Sequence, residues 1–215
     1  MTGEIDNHSV ARAYARWAPV YDIVFGAVFA RGRKASIAAA ERVGVRILDV
    51  GIGTGISLTG YAPTTCLVGV DYSEPMLRKA QERVREHGLS HVDALAVMDA
   101  QRLAFRDAWF DAVVAQYVIT TVPDPERTLD EFARVTRPGG EIILVNHLGA
   151  ETGLRRVLEK GFAPIARRLG WRPEFAWDRL ARWAERHRGV QLIERRPMPP
   201  LRQFSLIRFE KTATA

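Results

Sequence analysis

Three carboxylates occupy the same kind of place in this sequence, the end of a short apolar run. Asp49 follows Ile47-Leu48 and leads into Val50-Gly51-Ile52-Gly53-Thr54-Gly55. Asp71 closes Leu67-Val68-Gly69-Val70, and Asp99 follows Ala94–Met98 and is trailed by Ala100-Gln101. Glycines at alternate positions after a strand let the main chain turn sharply and come within contact distance of a ligand. A carboxylate ending the next strand can accept both hydroxyls of a ribose, and an Asp-Ala-Gln segment suits the edge of an adenine. A dinucleotide fingerprint would need its third glycine at position 56, which is Ile56; the glycine falls at 55, so that match is imperfect. His147, after Asn146, closes a further apolar run. Its imidazole suits proton handling near neutral pH, and it reads equally as a structural histidine.

The elements that hold these residues follow from the apolar patterning. Runs at Arg46–Val50, Cys66–Val70, Ala94–Met98, Ala112–Ala115 and Glu141–His147 predict strands. Gly55–Tyr61, Glu74–His87 and Pro125–Thr136 predict helices between them. Ser73 is the expected N-cap of the second helix, with Pro75 in its first turn and Gly88 as its stop. Pro138-Gly139-Gly140 is expected to end the third helix and turn the chain into a strand. Continuous apolar strands separated by helices make a parallel sheet covered on both faces, a doubly wound α/β fold, with ligands beyond the carboxyl ends of the strands. Residues 5–40 look helical. After Ala150 come helices and then Val190–Arg196 and Leu201–Glu210, expected to pair as antiparallel strands joined through Pro197, Pro199 and Pro200.

The chain has 215 residues, 47% apolar and 9% aromatic, enough for one domain with a real core and against disorder. A single cysteine, Cys66, excludes an intramolecular disulfide and a cysteine cluster and fits a reducing, intracellular setting. The net charge of +6 is unevenly spread: residues 45–150 carry 10 basic and 14 acidic side chains, residues 151–215 carry 15 and 7. A basic tail suggests an anionic partner; a solvated arginine-rich surface is the other reading. The first nine residues are polar and do not resemble a signal peptide. Residues 50–70 lack charge, but their five glycines, four threonines and Pro63 read as strand and loop, not as a membrane span. Three segments result: a helical lid over 1–44, a cofactor-binding core over 45–150, and basic helices with a strand pair over 151–215 that complete the same domain. No trio of His, Asp or Glu has metal-ligand spacing, so no metal is expected.

The glycine loop Asp49-x-Gly51-x-Gly53-x-Gly55, with Asp71 and Asp99-Ala100, resembles the class I S-adenosylmethionine-dependent methyltransferases over residues 45–148. The resemblance implies a Rossmann-like seven-stranded, mostly parallel sheet with an antiparallel last pair. It implies S-adenosylmethionine as cofactor, with S-adenosylhomocysteine as product. The cofactor would be held by Tyr14, Trp17, Asp49, Gly51, Gly53, Thr54, Gly55, Asp71, Asp99, Ala100, Gln101 and Gln116, with Tyr72 and Met76 beside the adenine.

The segment Ala115-Gln116-Tyr117-Val118 lacks the Asn/Asp-Pro-Pro-aromatic sequence usual in methylases of nucleic-acid bases, so no nucleic-acid partner is expected. Tyr14-Ala15-Arg16-Trp17-Ala18-Pro19-Val20-Tyr21-Asp22, followed by Arg31-Gly32-Arg33, resembles quinone-biosynthesis C-methyltransferases. Together with Tyr117–Thr120, Val122–Pro125, Asn146-His147 and Leu201–Glu210, the pattern is more similar to the small bacterial phosphatidylethanolamine N-methyltransferases. That implies methylation of the ethanolamine amine towards phosphatidylcholine. Tyr21, Asp22, Tyr117 and His147 are the expected catalytic residues, and Arg33 or Arg202 the phosphate ligands. Val10, Tyr14 and Trp17 share one helical face, which suits a membrane interface or a lid over the cofactor. Leu154, Leu158, Ile165 and Leu169 form a second stripe accompanied by Arg155, Arg156, Lys160, Arg167 and Arg168. Each basic side chain near anionic lipid contributes roughly 1 kcal/mol; a helix packed on the domain is the alternative. The expected partners are an anionic membrane surface and its phospholipid, without an obligate protein partner, and the expected location is cytoplasmic, on the inner face of the membrane. A quinone or other small-molecule methyltransferase, and a catalytically silent cofactor- or lipid-binding module, are the competing readings.

Overall fold

A computed structural model describes residues 29–148, 175–198 and 204–213. Tyr14, Trp17, Tyr21, Asp22, Arg202 and the basic stripe over 154–169 lie outside the described residues. Strands β1 (Arg46–Val50), β2 (Cys66–Asp71), β3 (Val92–Val97), β4 (Phe110–Gln116) and β5 (Thr136–His147) pair in parallel. Strand β7 (Phe204–Lys211) lies antiparallel between β5 and β6 (Val190–Met198). The order is β3-β2-β1-β4-β5-β7-β6, the Rossmann-like α/β sheet expected of a class I methyltransferase. It reverses direction of growth between β1 and β4, and in such sheets a crevice opens at the carboxyl ends there.

Burial explains why the central strands are apolar throughout. All of β4 up to Gln116 is buried, whereas no residue of the edge strand β3 is fully buried and Asp93, Ala94 and Val97 are exposed. One sheet face packs on α3 (Pro125–Val135) and α4 (Trp177–Arg186) through Leu129, Phe132, Leu180 and Trp183. The other packs on α1, described over 29–43, and α2 (Glu74–His87) through Phe29, Ile37, Leu77 and Ala80. Residues 29–43 are thus part of the core itself. On the first face, Arg179 donates from Nε and Nη2 to the two carboxylate oxygens of Glu126, and Trp183 Nε1 donates to Asp130 (2.8 Å), docking α4 on α3.

Helix α2 has the expected bounds, and Gly88 closes it with left-handed backbone (φ 59°). Ser73 stands at the N-cap but caps with no side-chain bond; its amide instead donates to Asp71 (2.8 Å). The helix expected over Gly55–Tyr61 is only a 3-10 turn at Leu58–Gly60. Gly60 and Pro63 resist propagation, and the side chains of Ser57 and Tyr61 are drawn inward to Asp49. Strand β5 begins at Thr136, before the Pro-Gly-Gly turn. Its pairing jumps from Phe110↔Thr136 to Ala112↔Glu141, so Arg137–Gly140 bulges out, with Gly139 at φ 69°, and regular pairing begins at the expected Glu141. Pro197 sits within β6, not in a connection; β6 is an edge strand, where a missing N–H is tolerated.

Away from the crevice, Asp111 ties three elements together. Its Oδ2 accepts from the amides of Val45 (3.0 Å) and Arg46 (2.8 Å), and its Oδ1 from Arg137 Nε (2.6 Å). Burial pushes the Asp111 carboxyl up, and the bonds from Arg137 and Arg46 outweigh it, so it is held below the usual carboxylate range.

Candidate active site

The carboxyl ends of β1, β2, β3 and β4 frame one cavity of about 250 Å³. The glycine loop forms its floor. Gly51, Gly53 and Gly55 all have left-handed backbone (φ 71°, 56° and 75°), which side chains other than glycine adopt only at a cost. A Cβ on Gly51 would strike Val118, and one on Gly55 would strike Leu58 and Ala80, while one on Gly53 would meet nothing within 4 Å. Gly53 therefore presents bare main chain to the open cavity.

The three acids stand around that floor. Asp49 is 1% exposed, and both its hydrogen bonds fall on Oδ2, from Ser57 Oγ (2.9 Å) and Tyr61 OH (3.1 Å). Burial, beyond what these donors offset, pushes its carboxyl up to about 7, and Asp71 adds to the rise. Asp71 accepts from the amides of Gly53 (2.8 Å) and Ser73 (2.8 Å), which locks the loop to the start of α2; burial raises its pKa too. Asp99 accepts from the Gln101 amide (2.9 Å).

Of the residues expected to hold the cofactor, Asp49, Gly51, Gly53, Thr54, Asp71, Tyr72, Met76, Asp99, Ala100 and Gln116 line the cavity. Gly55 does not; it serves the packing of the turn against α2. Gln101 does not either, because its amide group folds back on Asp99 (3.2 and 3.3 Å). Among the residues expected to be catalytic, Tyr117 lines the cavity with left-handed backbone (φ 65°), and its hydroxyl donates to the Phe29 carbonyl (3.0 Å). His147 ends β5 but does not line the cavity; its ring stands edge-on to Phe204, with centroids 6.0 Å apart. Asn146 is fully buried and donates to Thr120 Oγ1 (3.2 Å). Arg33 also lines the cavity.

Four residues carry no expectation from the sequence. Phe29 and Phe204 complete an aromatic cluster with Tyr117 and His147, with centroid separations of 4.2 to 6.0 Å. They come from elements far apart in sequence, and the cross-strand pair His147↔Phe204 is visible only once the antiparallel register is known. Ser57 and Tyr61 serve Asp49 from a segment whose pattern reads as helix.

A family profile described as a methyltransferase domain matches residues 48–144. The phosphatidylethanolamine N-methyltransferase of Cereibacter sphaeroides is 40% identical over 203 residues, covering 94% of this chain and 98% of that protein. The chain belongs to the class I S-adenosylmethionine-dependent methyltransferases. The Cereibacter relationship spans nearly the whole of both chains, as the sequence resemblance to the bacterial phospholipid enzymes implied. A demethylmenaquinone methyltransferase of Thermus thermophilus is 36% identical over 144 residues, covering 61% of this chain and 63% of that one. Among solved structures, the YcgJ protein of Bacillus subtilis superposes with TM-score 0.70 at 21% identity, over 85% of this chain and 98% of that one. A methyltransferase of Thermotoga maritima superposes with TM-score 0.68 at 22% identity, over 94% and 100%. These two show the shared fold.

S-adenosylmethionine is therefore the cofactor, and the site fits it on chemical grounds. The cofactor carries a sulfonium and an ammonium, and Asp49 is a buried carboxyl, raised by that burial, that pairs with no cation among the described residues. The bare main chain at Gly53 is the close approach that the nucleoside needs. When bound, the cofactor supplies a methyl group already activated by a positive sulfur. The protein's task is to align a nucleophile and keep water out.

Proposed function

We propose that this methyltransferase acts on the amine of phosphatidylethanolamine and its mono- and dimethylated forms at a membrane surface, towards phosphatidylcholine. The observation that carries the reading is the length of the Cereibacter relationship. It extends beyond the cofactor core into residues before β1 and after β5, where an acceptor must be selected.

The chemistry of the rim agrees. An ethanolamine headgroup arrives mostly as an ammonium, which has no lone pair for attack and must first lose a proton. His147, at the end of β5, is the proposed proton acceptor. Successive methylation removes N–H donors, so a site serving all three amines relies on aromatic faces, to which a cation is drawn through the ring quadrupole. Phe29, Tyr117 and Phe204 supply rings at that rim; Tyr21 and Asp22 are proposed to complete the site. Arg33 or Arg202 would receive the phosphate. Among the described residues no helix is long and apolar enough to cross a membrane. The proposal is a peripheral enzyme on an anionic inner leaflet, held by the basic segment 151–172 and the Tyr14/Trp17 face, without nucleic acid or an obligate protein partner.

Labelled methyl transfer to vesicles of phosphatidylethanolamine, compared with a demethylated quinol, tests this. Methylated phospholipid, more of it when anionic lipid is present, is expected. Methylation of the quinol with none of the lipid would replace this reading by the quinone one. S-adenosylmethionine binding without S-adenosylhomocysteine formation on either acceptor would indicate a silent module.

A further inference from the structure

The side chains that hold Asp49 have a use beyond packing. Ser57 Oγ and Tyr61 OH both donate to the same oxygen, Oδ2, and both residues are almost wholly buried, at 6% and 4% exposure. Two donors on one oxygen fix the plane of the carboxyl group and leave Oδ1 as the acceptor for the cavity that Asp49 lines. Neither donor can supply charge, so neither neutralises the carboxylate as an arginine would.

We propose that Ser57 and Tyr61 are positioning residues that hold Asp49 ready for the cation of S-adenosylmethionine, so that capture of the cofactor is coupled to loss of a proton from this carboxyl. The inference concerns the methyl donor alone and stands whichever acceptor is correct.

The surroundings decide the direction. Asp71, at the end of β2, is the negative neighbour and favours the neutral form of Asp49. From α1, Glu41 adds negative charge near Tyr61 while accepting the Ala62 amide (2.6 Å), and Arg33 lines the cavity. His91 faces the back of the turn, its Nε2 3.0 Å from the Leu58 carbonyl oxygen. Gln116, on β4, lines the cavity as a neutral group. Among the described residues, none of these gives Asp49 a direct ion pair. Burial therefore holds the carboxyl near 7, and near neutral pH a large share of molecules carry the proton. A ligand cation favours the ionised form, so binding expels that proton. Below pH 7 the affinity should rise about tenfold per pH unit and then level off. Removing a donor to the ionised carboxyl moves the levelling point upward, since a hydrogen bond to a charged acceptor accounts for roughly tenfold or more.

The experiment is titration calorimetry of the full chain with S-adenosylmethionine from pH 6 to 9, in pairs of buffers that differ in ionisation enthalpy. The wild type is expected to release about half a proton at pH 7, relative to Asp49→Asn, whose affinity should lack the rise. Tyr61→Phe and Ser57→Ala are each expected to bind roughly fivefold or more weakly at pH 7, where half of the wild-type carboxyl is already ionised, and to approach wild type by pH 9. A deficit that stays constant with pH means that the two side chains only shape the pocket, and overturns the proposal. Release of the same number of protons by the wild type and Asp49→Asn overturns it as well, even if neither donor variant folds.

Discussion

Gly53 and Gly55 sit two residues apart in the same left-handed backbone state, yet their replacement by alanine should fail in different ways. Each substitution places an L side chain at positive φ (56° and 75°), at a cost of roughly 1–2 kcal/mol. Alanine also restricts the unfolded chain, which returns about 0.4–1 kcal/mol. At Gly53 the added methyl meets nothing within 4 Å, so the net loss of stability should be about 1 kcal/mol. At Gly55 the methyl would stand 2.7 Å from Leu58 Cδ1 and 3.0 Å from Ala80 Cβ. Overpacking of that kind adds roughly 1–3 kcal/mol. With about 2–4 °C per kcal/mol for a chain of this size, Gly53→Ala should melt within about 4 °C of wild type and Gly55→Ala about 5–15 °C lower. Binding should show the reverse emphasis. The Gly53 methyl occupies the space where the nucleoside must approach, and a misfit of roughly 1–3 kcal/mol corresponds to a 5- to 150-fold loss of S-adenosylmethionine affinity. Thermal unfolding and calorimetry read both quantities on the same samples. If Gly53→Ala bound the cofactor as wild type does, main-chain approach at that residue would be refuted. If the two variants melted together, the packing role of Gly55 would be.

Other outcomes follow from the same geometry. Asp71→Ala should weaken S-adenosylmethionine at least tenfold in calorimetry, because a charged acceptor contributes about 1.5–3 kcal/mol; unchanged affinity would remove Asp71 from the ribose site. Asp111→Ala leaves the Val45 and Arg46 amides without their acceptor and should cost about 3 kcal/mol, read as a fall in denaturant midpoint. Because the folded state lowers the Asp111 pKa, its contribution is present above about pH 4 and is lost as pH falls through the folded value. The wild type should therefore lose more stability on acidification than Asp111→Ala, and parallel curves would contradict this. His147→Ala should abolish methyl transfer while leaving cofactor affinity intact; full turnover would exclude it as the proton acceptor.

The parts of this molecule that could be read from sequence are those fixed by neighbours in the chain. Strand β1 and helix α2 have their expected bounds because a run of apolar residues, a proline in the first turn and Gly88 act locally. The acids at the strand ends were legible for the same reason. Tyr61 was not, since its hydroxyl answers to a carboxylate twelve residues earlier, across a turn that has the composition of a helix. Gln101 misled because a side chain with two donors can satisfy the neighbouring Asp99 before it satisfies a ligand. The ring cluster of Phe29, Tyr117 and Phe204 joins α1, the residue just after β4, and β7, and pairing across such separations leaves no periodic trace. The basic stripe over 154–169 and the aromatic face of Tyr14 and Trp17 lie outside the described residues.

The placement of β7 between β5 and β6 has a consequence for how the protein comes into being. A ribosome delivers β6 before β7, yet β6 has no partner until β7 has slotted in beside β5. Until residues up to 211 emerge, the flank of the sheet at Ile142 and Leu144 stays open, and Trp183 lacks the Phe209 ring it meets edge-on. The nascent chain therefore exposes a ready-made edge to other strands for the whole of that interval, and the edge closes only when β7 arrives.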